Sequence, residues 1–357
     1  MIRLYYMNDT NMPTHILAAF AKGKSLSSSE VAELVPTKRS LVTVKRQLGM
    51  LSRAGYLKQS GGGRSVKYAL TKKGWLLKPF NVKQYLSAEP DSRLMQSRFQ
   101  FDVFEPPYVN LFTDAELTQL EEATGIYHEN AQHSDPSTRK KELMRFIVEF
   151  SWKTSRIEGN TYDLISTERL LLFGEKSPEH TEYEAQMILN QRAALEFILE
   201  NQELWKDLKV SSLEKLHGLV VEKLGIARNL RRTIVGITGT NYRPLESEFQ
   251  IRDALELLFQ NISRSTNVYE KALWSVLGLS YIQPFVDGNK RTGRLLANAI
   301  LIAHNYAPIS YRSVEERAYK EACLVFYEQN SVEPFKQLFT EQYIFAANNY
   351  NTGSIGA

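Results

Sequence analysis

The segment QPFVDGNKRTGR, residues 283–294, runs directly into the apolar stretch LLANAILIA, which is typical of a buried helix. It places one acid, one glycine turn and three basic side chains at the start of that helix. The first N–H groups of a helix have no internal partner and the helix dipole is positive there, so basic residues at this end are unfavourable without an anion. The sequence therefore predicts a loop that binds phosphate groups at the start of a helix.

Each residue type in this loop suits a phosphate and metal site. Gly288 can take backbone angles closed to other residues, so the amides after it can turn toward one anion. Lys290, Arg291 and Arg294 add full charges, and the planar guanidinium group suits bidentate contacts with phosphate. Asp287 is the one acid among these basic residues, which suits a Mg²⁺ ion that bridges phosphate oxygens. The competing interpretation is a helix start that carries ordinary surface charges.

The same twelve residues resemble the signature of the Fic proteins, H-P-F-x-D/E-G-N-x-R-x-x-R, and match every fixed position except the first. The resemblance implies a mainly α fold, in which an all-helical core carries a small β-hairpin flap. It also implies transfer of AMP from ATP, with Mg²⁺, to a hydroxyl side chain of a target protein docked on the flap. The implied catalytic residues are Asp287, Asn289, Arg291 and Arg294, and the implied nucleotide-binding residues are Asp287, Gly288, Asn289, Lys290, Arg291, Thr292, Gly293 and Arg294.

Gln283 stands where the signature has histidine. In the family that histidine takes the proton of the attacking hydroxyl, and glutamine has no titratable group with which to do so. Loss of a positioned base typically slows a reaction by about 10²–10⁴-fold. His217 and His304 lie in apolar helical contexts and are expected to be structural, so the sequence offers no replacement.

Three interpretations of this substitution stay open. The first is an autoinhibited protein adenylyltransferase that is weakened or inactivated at residue 283. The second is a catalytically inactive ATP sensor that regulates a DNA-binding head. The third is a phosphotransferase that resembles the Doc toxins, which have lysine at the position of Lys290 but lack a counterpart of Arg294.

A second segment, TSRIEG, resembles the inhibitory motif S/T-x-x-x-E-G/N of Fic proteins. Thr154 and Glu158 are four residues apart and so share one helix face, and Gly159 is placed to end that helix. The resemblance implies that Glu158 pairs with Arg294 and keeps it from the γ-phosphate of ATP. The nucleotide would then bind in a pose unsuited to in-line attack.

Two further matches are weaker. The segment IARNLRRTIVGITGTNYRPLES, residues 226–247, resembles the flap, which clamps the backbone of the target by β-augmentation. Residues 233–238 contain β-branched side chains in a loose alternation. The resemblance places Gly236, Ile237, Thr238 and Gly239 near the nucleotide. It also places Tyr319 on the adenine side.

Charge separates the first 80 residues from the rest of the chain. They carry 14 Lys and Arg against three Asp and Glu, whereas the remainder has a balance of −7. Helical patterns followed by two strand-like arms around a triple glycine resemble a winged helix-turn-helix domain. This predicts DNA binding by Lys45, Arg46, Arg53, Arg64 and Lys67, with protein docking as the alternative and a possible homodimer.

The domain prediction is a winged helix-turn-helix domain at 1–80, a connecting helical region at 81–141, the inhibitory helix with N-terminal Fic helices at 142–204, and a Fic core at 205–345. No apolar stretch reaches 18 residues, and the N-terminus lacks the apolar core of a signal peptide. A cytoplasmic protein without membrane contact is therefore expected. Cys323 is the single cysteine, so an internal disulfide is excluded and a buried thiol is expected.

Overall fold

The protein is mainly helical in the computed structural model, which describes residues 12–21, 23–36, 39–350 and 352. The three strands assigned within these ranges all lie in the first 70 residues. This confirms the mainly α fold. Among the helices in these ranges, none combines the length and the apolar character needed to cross a bilayer.

The N-terminal unit combines short helices with one small sheet. Its elements are α1 Met12–Ala18, β1 Ser25–Ser27, α2 Ser28–Leu34, α3 Leu41–Arg53, β2 Leu57–Ser60, β3 Lys67–Leu70 and α4 Lys72–Leu76. The sheet is antiparallel in the order β1-β3-β2, with Leu57 opposite Leu70 and Ser25 opposite Ala69. A capping box at Ser27 and Glu30 starts α2. The predicted helices and hairpin are thus present, and β1 is an additional strand.

The connecting region is less regular and contacts both neighbours. It contains α5 Val82–Leu86 and the long α6 Asp114–His133, besides short 3₁₀ turns at Pro90–Ser92 and Phe101–Val103. Tyr85 donates to the Glu328 carboxylate at 2.7 Å, and the Leu111 amide donates to Glu270. On the other side, the Lys72 side chain of the N-terminal unit donates to the Glu105 carbonyl.

Nine further helices build the remainder of the described chain. They are α7 Pro136–Ile157, α8 Leu164–Phe173, α9 Glu182–Glu200, α10 Val210–Val220, α11 Glu248–Arg264, α12 Val268–Ile282, α13 Asn289–Ala303, α14 Glu316–Gln329 and α15 Glu333–Asn349. Helices α12 and α13 form the centre of the core, and every residue of α12 except Lys271 is buried. They approach closely at Gly293, where an added Cβ would lie 3.3 Å from the Val276 carbonyl oxygen.

The flap, residues 233–245, differs from its predicted form. Within the described ranges it contains no strand; the chain turns at Thr238 and Gly239, and a single parallel bridge joins Arg243 to Arg98. Two glycines and Pro244 interrupt the loose alternation on which the hairpin prediction depended. The flap is therefore an irregular loop rather than a paired hairpin.

Candidate active site

The loop between α12 and α13 carries the predicted site, and Asn289 fixes its shape. The Asn289 side chain accepts from the Phe285 amide and donates to the Phe285 carbonyl, both at 2.8 Å. Phe285 is fully buried and stacks on the His217 ring, with the ring centroids 3.6 Å apart. The loop is thus held from inside the core, as expected for a rigid ligand-binding turn.

Gln283 caps α12 in the left-handed conformation, with φ of 51°. It is 8% exposed, and its side chain uses both ends of the amide. Nε2 donates to the Ser280 carbonyl at 2.7 Å, and Oε1 accepts from Asn289 at 2.9 Å. The position predicted for a proton acceptor is therefore occupied by an uncharged group tied to the loop.

Asp287 and Gly288 form the turn into α13. The Asp287 side chain is 57% exposed and lies 3.1 Å from Nη2 of the buried Arg291. Gly288 has φ of 81°, and a Cβ there would lie 3.2 Å from Val221. Glycine is thus required at this turn for its backbone angle and for space.

Buried polar groups in the loop fit a phosphate ligand. The Arg291 Nη1 and Thr292 Oγ1 atoms are buried and have no hydrogen-bond partner among the described residues. Within those residues, no group of three or more His, Cys, Asp or Glu could hold a metal ion. The buried donors of Arg291 and Thr292 fit phosphate oxygens, and Asp287 is the carboxylate of the loop that would hold a Mg²⁺ ion.

The predicted contact between Glu158 and Arg294 is present. Helix α7 ends at Ile157 with Glu158 as its C-cap, and Gly159 has φ of 98°. The Glu158 Oε1 atom accepts from Arg294 Nη2 at 2.9 Å. Thr154 receives two more bonds from Arg294, through its hydroxyl at 2.6 Å and its carbonyl at 2.9 Å. The fully buried Arg294 is therefore held by the end of α7.

Lys290 also contacts Glu158, which the sequence analysis did not predict. Its Nζ lies 3.2 Å from the second oxygen of Glu158, so one carboxylate holds two of the three basic residues of the loop. Burial on its own would raise the pKa of Glu158, but the charges of Arg294 and Lys290 outweigh it and hold that pKa at about 2. The i+4 spacing of Lys290 and Arg294 on α13 is the signal that indicates a shared partner. We name Glu158, Thr154, Arg294 and Lys290 the α7 clamp.

Tyr319 does not present a surface to a nucleotide in this conformation. It is fully buried on α14, with the Arg294 guanidinium 5.2 Å from its ring centroid. The predicted adenine contact therefore needs a rearrangement around Arg294. Cys323, one turn further along α14, is buried and free, as expected.

The four predicted nucleotide residues of the flap make no hydrogen bond to the loop among the described residues. Gly236, Thr238 and Gly239 are exposed, and Ile237 is half-buried. Their role in nucleotide binding stays a prediction.

The two histidines contact backbone carbonyls. The His217 Nε2 atom lies 2.9 Å from the Asp287 carbonyl and Nδ1 lies 3.0 Å from that of Arg228, and burial lowers its pKa. His304 Nδ1 lies 2.8 Å from the Ile300 carbonyl. Both arrangements suit structural residues, and neither supplies a base in place of Gln283.

The candidate DNA-binding residues lie on the surface of the N-terminal unit. Lys45, Arg46 and Arg53 are exposed on α3, and Lys67 is exposed on β3. The side chain of Arg64 lies outside the described part of the structure. The exposed basic residues leave DNA binding as a prediction.

Residues 207–301 match the Fic/DOC family. They contain the α12–α13 loop and the flap. This stretch is a Fic/DOC domain. Over 212 residues the chain is 26% identical to protein adenylyltransferase fic-1 of Caenorhabditis elegans, a match that covers 57% of this chain and 41% of that protein. Over 188 residues it is 27% identical to protein adenylyltransferase Fic of Nematostella vectensis, covering 51% of this chain and 44% of that protein.

Solved structures show the same fold. The structure of Fic-1 residues 134–508 from Caenorhabditis elegans has a TM-score of 0.55 at 20% identity, over 66% of this chain and 72% of that one. A Fic domain containing signaling protein from Bacteroides thetaiotaomicron has a TM-score of 0.54 at 20% identity, over 67% of this chain and 99% of that one. The chain spans less than half the length of the two adenylyltransferases from Caenorhabditis elegans and Nematostella vectensis, so their activity is carried over only as a proposal.

Proposed function

We propose that the chain binds ATP at residues 287–294 and is a Fic-type protein adenylyltransferase, restrained by the α7 clamp and slowed by Gln283. The α7 clamp is the observation that carries this proposal. Arg294 is buried, and the ionised carboxylate of Glu158 holds it beside the phosphate-binding loop. This contact can inhibit the binding of ATP in a productive pose. The similarity to protein adenylyltransferases of Caenorhabditis elegans and Nematostella vectensis supports AMP transfer from ATP as the reaction.

The loop residues take distinct parts in this proposal. Arg291 and the amides after Gly288 bind phosphate oxygens, and Arg294 binds the γ-phosphate once Glu158 releases it. Asp287 would hold a Mg²⁺ ion, and that ion would supply positive charge beside the phosphates. Because the Glu158 carboxylate binds both Lys290 and Arg294, this one residue keeps two positive charges from the nucleotide.

Gln283 sets the limit on the transfer step. The target hydroxyl oxygen forms a bond to the α-phosphorus, the bond to the bridging oxygen breaks, and pyrophosphate leaves. The Gln283 amide oxygen can accept a hydrogen bond from that hydroxyl but cannot take its proton, which passes to water instead. The expected result is orientation without general base catalysis, a loss of about 10²–10⁴-fold.

Labelling with ATP tests this proposal. We would incubate wild type, Glu158→Gly, Gln283→His and the double variant with ATP labelled at the α- or γ-phosphate. The proposal expects α-label on protein from the double variant and labelling at least about a hundredfold slower from Glu158→Gly alone. Absence of α-label from every variant, with ATP binding intact, would contradict transfer.

Two other functions give different results in that experiment. An ATP sensor, favoured by the tied amide of Gln283 and the exposed basic residues of α3, binds ATP without labelling any protein. A phosphotransferase, favoured by Lys290, transfers γ-label instead. Arg294→Ala tests the shared premise of a phosphate loop, because unchanged ATP affinity in the Glu158→Gly background would contradict it.

A further inference from the structure

Arg231 joins the two ends of the flap to residue 283. This side chain is buried, at 2% exposure, and all three of its hydrogen bonds go to backbone carbonyls. Nε donates to Gln283 at 2.6 Å, Nη1 donates to Thr233 at 2.7 Å, and Nη2 donates to Leu245 at 2.5 Å. Its own amide donates to the Pro284 carbonyl at 3.0 Å. One residue therefore fixes both ends of the flap against the α12–α13 loop.

Arg93 holds the tip of the same loop from outside the matched domain. Its Nη2 donates to the Gly239 carbonyl at 2.6 Å, while Nη1 lies 3.1 Å from the buried carboxylate of Glu328. The neighbouring segment also bonds to the flap, because the Arg243 amide donates to the Ser97 carbonyl at 2.9 Å. The tip is thus attached to the connecting region and, through Glu328, to the end of α14.

We propose that Arg231 and Arg93 are positioning residues that hold the flap over residue 283, in place of the strand pairing that the flap lacks. The inference rests on the proposed function in one respect, that the flap receives the target. A loop without strand pairing leaves backbone carbonyls without hydrogen bonds from a partner strand. Each of these arginines donates to a flap carbonyl and also bonds to a group outside the flap. The forked guanidinium group can serve several such acceptors in fixed directions, whereas an ammonium group cannot.

Arg93 connects the flap to residues at the end of α14. Glu328 and Ser331 lie at and just beyond the end of α14, and Ser331 donates to the Lys78 carbonyl at 2.8 Å. The flap is in this way linked through contacts of α14 to the N-terminal unit, which lies outside the Fic/DOC domain.

Hydrogen exchange of the full-length protein tests both positioning residues, with a matched control for each. Arg231→Lys is compared with Arg232→Lys, because Arg232 is adjacent but 83% exposed and pairs with Glu248. Arg93→Lys retains charge beside Glu328 and is compared with Arg98→Lys, an exposed residue of the same segment. Lysine cannot reproduce the fork, so we expect the hydrogen-bonded flap amides of Tyr242 and Arg243 to exchange about tenfold faster or more in the first of each pair.

The pattern across the molecule separates positioning from general stabilisation. We expect amides at 268–279 and 295–303, away from the residue 283 carbonyl that Arg231 binds, to exchange as in wild type in Arg231→Lys, and both controls to leave the flap unchanged. Unchanged flap exchange in Arg231→Lys and Arg93→Lys, or an equal rise throughout 268–303, would overturn the inference. ATP binding, measured in parallel, reports on the proposed function separately, because its absence in wild type would leave the exchange comparison intact.

Discussion

Replacement of Glu158 by glutamine is the sharpest test of the α7 clamp, because it preserves side-chain shape and removes the shared charge. The ordinary pKa of a glutamate is 4.5, and that of Glu158 is about 2. A difference of this size corresponds to roughly 3 kcal/mol of stabilisation of the folded protein by the ionised carboxylate at neutral pH. The Glu158 side chain is only 18% exposed, so solvent screens this contribution little.

The pH dependence follows from the direction of the shift. The pKa is lower in the folded state, so the stabilisation is complete above the unfolded value of 4.5 and is lost as the pH falls toward 2. We expect the difference in unfolding free energy between wild type and Glu158→Gln to be about 3 kcal/mol at pH 6 and about 2 kcal/mol at pH 3.5.

Urea unfolding followed by tryptophan fluorescence at pH 6, 4.5 and 3.5 measures this difference. The control is Glu203→Gln, since Glu203 is 83% exposed and pairs with Lys206 on the surface. Its unfolding free energy should stay close to that of wild type at each pH. A Glu158→Gln difference below about 1 kcal/mol at pH 6, or one that does not shrink by pH 3.5, would refute the clamp as an energetic unit.

Three further predictions address other parts of the molecule. Thr154→Val removes the hydroxyl that Arg294 contacts at 2.6 Å and should lower the unfolding free energy by about 1.5–3 kcal/mol in urea; no change would show that the bond is dispensable. Gly288→Ala places a side chain at φ of 81° against Val221, so we expect a loss of about 1–2 kcal/mol by thermal unfolding, and unchanged stability would contradict the need for glycine. Lys45→Ala and Arg46→Ala should each reduce the salt dependence of DNA binding by about one unit of log–log slope, measured by fluorescence anisotropy, and equal slopes would count against phosphate contacts there.

The sequence was sufficient for the parts of the site that depend on neighbouring residues. The loop at 283–294 and the end of α7 at Gly159 follow from short motifs with local geometric meaning, whereas the pairing of Glu158 with Arg294, 136 positions apart, was implied by the resemblance to Fic proteins. Such motifs indicate turns, caps and helix faces, which depend on a few consecutive residues.

Residues that act across long distances in the chain could not be predicted in this way. In the sequence, Arg231 is one basic residue in a basic stretch. Only the fold shows that its side chain donates to the carbonyl of Gln283, 52 positions later. Arg93 likewise meets Gly239 across 146 positions. The resemblance and the β-branched residues of the flap predict a hairpin. Nothing in the sequence shows that Arg231 and Arg93 bind the flap carbonyls.

The hydrogen bonds of Gln283 give the histidine replacement a clear physical basis. Its amide donates once, to Ser280, and accepts once, from Asn289. A neutral imidazole offers one donor and one acceptor, so Gln283→His can keep the bond to Ser280, while its other nitrogen gives up the bond from Asn289 to take the proton of the hydroxyl. Arg231 fixes the residue 283 carbonyl whatever side chain stands there, and so holds the left-handed backbone in place. Restored transfer in Gln283→His would therefore report the added base rather than a rebuilt loop, which makes this substitution informative about chemistry at residue 283.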